Sequence, residues 1–112
     1  MAEAQRRKWD RKQTLNPVDY VILGEDGVFL SRGMGRTHDV SEGGLFLETH
    51  RALKAGEEVL ITLGLKDAMV RLRGRVVRLV PATSEYRHCA GVKFTYMNKD
   101  DRVTLKNFIG AS

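Results

Sequence analysis
The segment from Glu58 to Val77 limits the fold most strongly. Val59, Ile61, Leu63 and Leu65 alternate with Glu58, Leu60, Thr62 and Gly64. After the short turn at Lys66-Asp67, Val70, Leu72, Gly74 and Val76 share a face opposite Arg71, Arg73 and Arg75. Neighbouring side chains of a strand point to opposite faces, so a period of two gives one apolar and one wet face, which a 3.6-residue helical period does not. These are two strands. The alternation slips at Val76-Val77, which predicts a β-bulge. The arginine face has two readings, a solvated strand face or a binding stripe, and the first is the commoner fate of such a charge run.

The rest of the chain continues the theme. Pro17 fixes the start of an apolar run, Val18 to Leu23, rich in β-branched and aromatic residues. Gly24-Glu25-Asp26-Gly27 is a turn signal, and Val28-Phe29-Leu30 begins the returning strand of a hairpin. That strand passes through Gly33 and Gly35, which weaken or bend a strand and predict a bulge beside the polar stretch that follows. Leu45 and Leu47 then face one side and Phe46 the other, Arg51 to Gly56 reads as a loop, and Pro81 to Glu85 as a turn. Ala90, Val92, Phe94 and Tyr96 alternate with Cys89, Gly91, Lys93 and Thr95 in the last strand. Asn98 fits a helix N-cap, Asp100 and Asp101 favour the positive end of the dipole, and Leu105, Phe108 and Ile109 form an apolar stripe ending at Gly110. Several strands on short turns, followed by one amphipathic helix, define an all-β fold with one C-terminal helix: a small antiparallel barrel with the helix on its surface or over one end.

A chain of 112 residues makes one domain, large enough for a modest core without metal or disulfide staples. Its 42% hydrophobic and 29% charged residues are those of an ordinary globular protein. No apolar run approaches the roughly 20 residues of a membrane span. The polar, basic N-terminus also lacks a signal-peptide core, so the expected location is the cytoplasm. Met1 at one end and a helix at the other fit a complete single-domain chain. The lone Cys89 excludes an internal disulfide and a multi-cysteine metal site, and reads as a small core residue.

The net charge of +5 points to an anionic partner: nucleic acid, nucleotide or membrane surface. Arg6, Arg7, Lys8, Arg11 and Lys12 crowd the start of the chain against only Glu3 and Asp10. Residues 1–13 are therefore expected to form a flexible basic arm, mobile until an anion engages it, and residues 14–112 the barrel. A merely solvated tail is the alternative. The second polar feature is the segment Gly35 to Leu47, where Asp39, Ser41, Gly43 and Gly44 suggest a tight loop between two strands. Asp39 and Ser41 alternate and so point the same way, while the glycines permit positive φ and close approach to the backbone. Such a loop is either a plain Asx- or Ser-turn or a small binding surface.

These features carry a resemblance. Arg7-Lys8-Trp9-Asp10-Arg11 resembles the RxxxR motif of the PilZ family, and Asp39-Val40-Ser41-Glu42-Gly43-Gly44 resembles its (D/N)xSxxG motif. Gly74-Arg75-Val76-Val77-Arg78 and Gly91-Val92-Lys93-Phe94 are similar to later strands of the family, and the terminal helix falls where members have one. Arg32/Arg36 and Arg71/Arg75 also fit RxxxR, so Arg7 and Arg11 are chosen by position, with the arm before the first strand and the polar loop after the second. The resemblance implies a six-stranded β-barrel that binds the bacterial second messenger cyclic di-GMP, with no other cofactor.

The chemistry agrees with that implication. Guanine presents O6 and N7 as acceptors, which match arginine's planar fork, and cyclic di-GMP adds two phosphates. The N1–H and N2–H donors on guanine's other edge suit Asp39, Ser41 can add a hydroxyl contact, and Gly43 and Gly44 leave room against backbone amides. Arg6 is either a further guanidinium for base or phosphate or a solvated charge. Trp9 either packs on the barrel or stacks on a base. Arg36 is an additional phosphate contact, whereas His38 reads as a bystander.

The expected mechanism is a binding switch in which Arg7 and Arg11 clamp the nucleotide onto Asp39–Gly44, and an effector protein not identified by the sequence reads the closed form. His38, His50 and His88 are scattered, and no GxxxxGK(S/T) loop or nucleophile-and-base set stands out, so an enzyme is not expected. Two alternatives stay open. One is a small basic barrel binding nucleic acid, disfavoured by the scarcity of aromatics on a basic strand face. The other is an adaptor that works without nucleotide, disfavoured by the presence of both motifs. Both monomer and dimer fit the sequence.

Overall fold
The structure is a computed structural model and describes residues 11–80 and 88–110, with side chains described from Leu15 onward. Six strands follow in order: β1 (Arg11–Leu23), β2 (Phe29–Ser41), β3 (Gly44–Thr49), β4 (Glu58–Gly64), β5 (Met69–Val80) and β6 (His88–Tyr96). Helix α1 (Lys99–Gly110) comes last. The strands close into an antiparallel barrel in the order β1-β2-β3-β6-β5-β4, with β4 returning to β1. The fold is that of a six-stranded barrel with one C-terminal helix. The expected turn at Pro81 to Glu85 lies outside the described residues.

The alternating positions supply the core. Val18, Tyr20 and Ile22 of β1, Val59, Ile61 and Leu63 of β4, Val70, Leu72 and Val76 of β5, and Ala90 and Val92 of β6 point inward and are buried. Leu45 and Leu47 do the same from β3, with Phe46 on the outer face. The β1–β2 turn closes through Gly27 N–H to the Gly24 carbonyl at 2.9 Å, with Gly27 at φ +82°, a left-handed value that favours glycine. The slip at Val76–Arg78 is present as a register shift between β5 and β6.

Helix α1 begins where the N-cap signal places it. The Asn98 Oδ1 accepts the Asp101 N–H at 2.8 Å. The Asp101 carboxylate in turn accepts the Arg71 N–H at 3.1 Å and ties the helix to β5. Leu105 and Ile109 are buried in the main core and Phe108 packs against it.

The glycines of β2 act differently from the expected bend. No shift interrupts the β1–β2 register at Gly33 or Gly35. The expected bulge beside the polar stretch is present further along, between Thr37 and Val40 where β2 pairs with β3 and between Thr37 and Asp39 where it pairs with β1. Gly33 lies against the Tyr20 ring, and a Cβ at Gly35 would stand 2.2 Å from the Glu48 carbonyl oxygen. Both glycines let the neighbouring strand or ring approach, so their requirement is steric.

The arginine face of β5 is a solvated, paired face. Glu58 lies opposite Arg75 and accepts from Arg73 Nε at 2.7 Å and from Arg75 Nη2 at 2.8 Å. These hydrogen bonds hold the Glu58 carboxyl below its ordinary range, Arg75 contributing more than Arg73. Among the described residues no helix is long and apolar enough to cross a membrane.

Two stability predictions follow from this packing. Gly35→Ala forces β2 from β3 and should destabilise by about 1–3 kcal/mol, while Gly110→Ala, with nothing within 4 Å, should change stability little; thermal unfolding of both variants checks this. The second concerns Glu58, whose lowered folded pKa adds stability that is complete above the unfolded carboxylate range and disappears as pH falls through the folded value. The wild type should exceed Glu58→Gln by about 0.2–1 kcal/mol at neutral pH, and urea unfolding across an acid series should show the two converging at low pH.

Candidate functional site
The polar segment is strand for most of its length. β2 runs through Ser41, so Asp39 and Ser41 are strand residues and only Glu42-Gly43 bridges to β3, in place of the expected loop. Thr37, fully buried, fixes the bulge: its hydroxyl donates to the Asp39 carbonyl at 3.0 Å and accepts the Asp39 N–H at 3.3 Å. Ser41 is 8% exposed, and its hydroxyl accepts the N–H groups of Gly43 and Gly44 and donates to the Gly44 carbonyl, each at 3.2 Å. Ser41 therefore shapes the turn from within. The Phe94 N–H, donating to the Gly43 carbonyl at 2.9 Å, anchors that turn to β6.

Neither Gly43 nor Gly44 has positive φ; among the described residues only Gly27 and Gly56 do. The reason for glycine at position 44 is a close neighbour, because a Cβ there would stand 2.5 Å from the Val92 carbonyl oxygen. Glycine 44 lets β3 meet β6.

Around this turn the outer surface of the barrel is concave. An open depression of about 720 Å³ is lined by Asp39, Ser41, Gly43 and Gly44 on one side and by Phe46, Arg78, Gly91 and Lys93 on the other. Strand register explains the shape. Phe46, Gly91 and Arg78 form one row across β3, β6 and β5, and Gly44, Lys93 and Arg75 the next. Gly91 has no side chain, and the Arg78 guanidinium lies 5.7 Å from the centre of the Phe46 ring. The depression thus combines a carboxylate, a guanidinium on an aromatic face and an ammonium, which together suit a planar, anionic molecule with hydrogen-bond donors.

The register also places the start of β1. Arg11 stands opposite Ser41 and Gln13 opposite Asp39, so β1 begins beside the polar turn. Arg6, Arg7 and Trp9 lie outside the described residues, as does the side chain of Arg11.

Arg36 does not line the depression. It stands opposite Glu48 on the outer face and its Nε donates to that carboxylate, which is 2% exposed. The Nε2 of His38 is 3.3 Å from the same oxygen. Glu48 thus ties both side chains flanking Thr37 to β3. Cys89 is buried beside it, and burial, reinforced by the Glu48 charge, pushes the thiol pKa up and keeps it protonated. Among the described residues no group of three or more His, Cys, Asp or Glu is placed to hold a metal ion.

Arg78 and Lys93 are the contributors that sequence reasoning missed. Alternation around Gly91 places Lys93 on the outer face, but the pairing of β6 with both β3 and β5, and the bulge that turns Arg78 toward Phe46, are tertiary facts.

Comparison with known proteins follows the same outline. The PilZ domain model matches residues 5–111. No curated protein matches the sequence. Among solved structures, the inhibitor of motility MotI/DgrA of Bacillus subtilis superposes with a TM-score of 0.76 at 14% identity, covering 94% of this chain and 50% of that one. The PilZ domain of YcgR from Escherichia coli, solved with c-di-GMP, gives 0.67 at 16% identity, covering 94% and 89%. The PilZ domain of CeSA from a cellulose-synthesizing bacterium gives 0.61 at 21%, covering 88% and 93%. The chain spans half the length of the Bacillus protein and most of the two isolated domains. With a barrel, turn and terminal helix in the expected order and a family match over nearly its whole length, this chain belongs to the PilZ domain family.

Proposed function
We propose that this chain is a cyclic di-GMP receptor in which the basic segment ahead of β1 closes over the depression and presents a changed face to an effector protein; residues 11–13, expected to belong to that arm, are instead the start of β1. The observation that carries this reading is the register: β1 starts with Arg11 opposite Ser41, at the rim of a depression lined by Asp39, and Arg7 lies four residues before it in the chain. The E. coli YcgR domain solved with c-di-GMP shares the fold and supports the same ligand. MotI, an inhibitor of motility, supports an output through another protein.

In this proposal Asp39 accepts N1–H and N2–H of one guanine, and the forks of Arg7 and Arg11 hold O6, N7 and phosphate from the arm side. Arg6 extends the clamp. Arg78, stacked on Phe46, offers a planar cation for a base, and Lys93 a charge for phosphate. Ser41 contributes through the turn it holds, and Gly43 and Gly44 through the flat surface they leave. Arg36, engaged by Glu48, acts at the edge of the site. Ordering the arm opposes binding, so the arm contacts must outweigh its lost chain entropy. Nothing in this scheme transforms the nucleotide.

Calorimetric titration with cyclic di-GMP, with GTP and a single-stranded oligonucleotide as controls, tests the reading. Selective binding is expected, weakened about 10- to 100-fold by Arg7→Ala or Asp39→Ala, in line with roughly 1–3 kcal/mol for a bidentate contact. Arg78→Ala should weaken it less. Absence of binding by the intact protein, or tighter binding of the oligonucleotide with a steep salt dependence, would contradict it.

A further inference from the structure
Strand β2 begins at Phe29, but its pairing with β3 begins only at Gly35 opposite Thr49. Between these points β2 is bonded to β1 on one side, from Phe29 opposite Leu23 to Met34 opposite Asp19. Beyond Thr49 the chain leaves the sheet, and among the described residues no second strand pairs with Phe29–Met34. Among the described residues the closed barrel thus retains an open edge of about 20 Å.

Natural edges of this kind are blunted by lysine, proline or a bulge. This one has no lysine or proline; its one irregularity is at Leu30, the extra residue where the register shifts between Ser31 and Phe29, and it carries Phe29, Leu30 and Met34 at 67%, 65% and 68% exposure. Gly33 rests on the Tyr20 ring and adds no side chain of its own. The one charged residue along it is Arg32, paired with Asp19 of β1 at 2.8 Å. Beside it, exposed Arg51 donates to the Ser31 hydroxyl at 3.0 Å.

We propose that Phe29–Met34 is a β-augmentation site for an extended segment of a partner protein with an acidic centre flanked by apolar residues. An added antiparallel strand supplies main-chain hydrogen bonds to the open edge. Arg32 and Met34, opposite Val21 and Asp19, alternate onto one face, and exposed Leu30 follows at the register shift, so the strand meets apolar and cationic positions along the edge, with Arg51 beside Ser31. Charge complementarity selects the acidic centre through Arg51, whose hydrogen bond here is to the uncharged Ser31 hydroxyl, since Arg32 is already paired with Asp19. It also disfavours a second copy of this chain, because antiparallel self-pairing would gather Arg32 and Arg51 of both copies on proteins of net charge +5. The site is independent of the nucleotide reading.

The test uses the full chain and the synthetic peptide acetyl-Thr-Val-Thr-Glu-Glu-Val-Val-Thr-amide, with a control in which Lys-Lys replaces Glu-Glu. The peptide should shift the amide signals of residues 29–34 and slow their hydrogen exchange. The control, and the Leu30→Glu/Met34→Glu variant with unchanged melting temperature, should bind at least about tenfold more weakly, the scale of one 1.4 kcal/mol contact. No binding at millimolar peptide, equal binding of the control, or protection confined to other strands would overturn the proposal. So would sedimentation showing a concentration-dependent dimer abolished by the double substitution, which would assign the edge to a second copy. No nucleotide enters the experiment, so its failure and that of the receptor reading are distinguishable.

Discussion

Double pairing of β1 is the constraint on which the rest of the structure depends. Residues Val18–Leu23 bond to β2 on one side and to β4 on the other, and this closes the barrel. Only this segment is needed for closure. The earlier part of β1, from Arg11, runs on along β2 alone and reaches Ser41. Asn16 fixes the point of divergence, since its side-chain amide donates to the Gly64 carbonyl at 2.7 Å where β4 ends. The strand that completes the core therefore also brings Arg11 to the polar turn. The same offset leaves β2 exposed at its opposite end, where it outruns β3.

Much of this was legible because it is local. The alternation from Glu58 to Val77 gave β4, β5 and the bulge, Gly24–Gly27 gave the first turn, and Asn98 gave the helix start. Each depends on side-chain period or on hydrogen bonds between near neighbours. The site was legible in part. Asp39 and Ser41 stand out as polar residues between apolar runs, but the inward role of the Ser41 hydroxyl depends on turn geometry that the sequence does not fix.

What sequence did not show arises between strands. By sequence alone Gly44 signifies backbone freedom, whereas in the barrel it provides clearance for the Val92 carbonyl. Arg36 was read as a phosphate contact, yet its Nε is bonded to a carboxylate buried on the outer face. An outward strand position ordinarily signals exposure, so nothing in the pattern marks Glu48 as buried. Arg78 and Lys93 come from β5 and β6 and meet the polar turn only through the order β2-β3-β6-β5. The depression is a product of register.

The central claim is that the Asp39–Gly44 turn, the β6–β5 row and the arm act together as one nucleotide site. Amide chemical-shift mapping of the isotope-labelled protein during titration with cyclic di-GMP tests it most directly. Residues 39–44, 91–93 and 78 should shift together with residues 6–11, at one midpoint and with slowed exchange of the amides ahead of β1. Shifts confined to the turn with the arm unaffected, or a response centred away from Asp39, would contradict it.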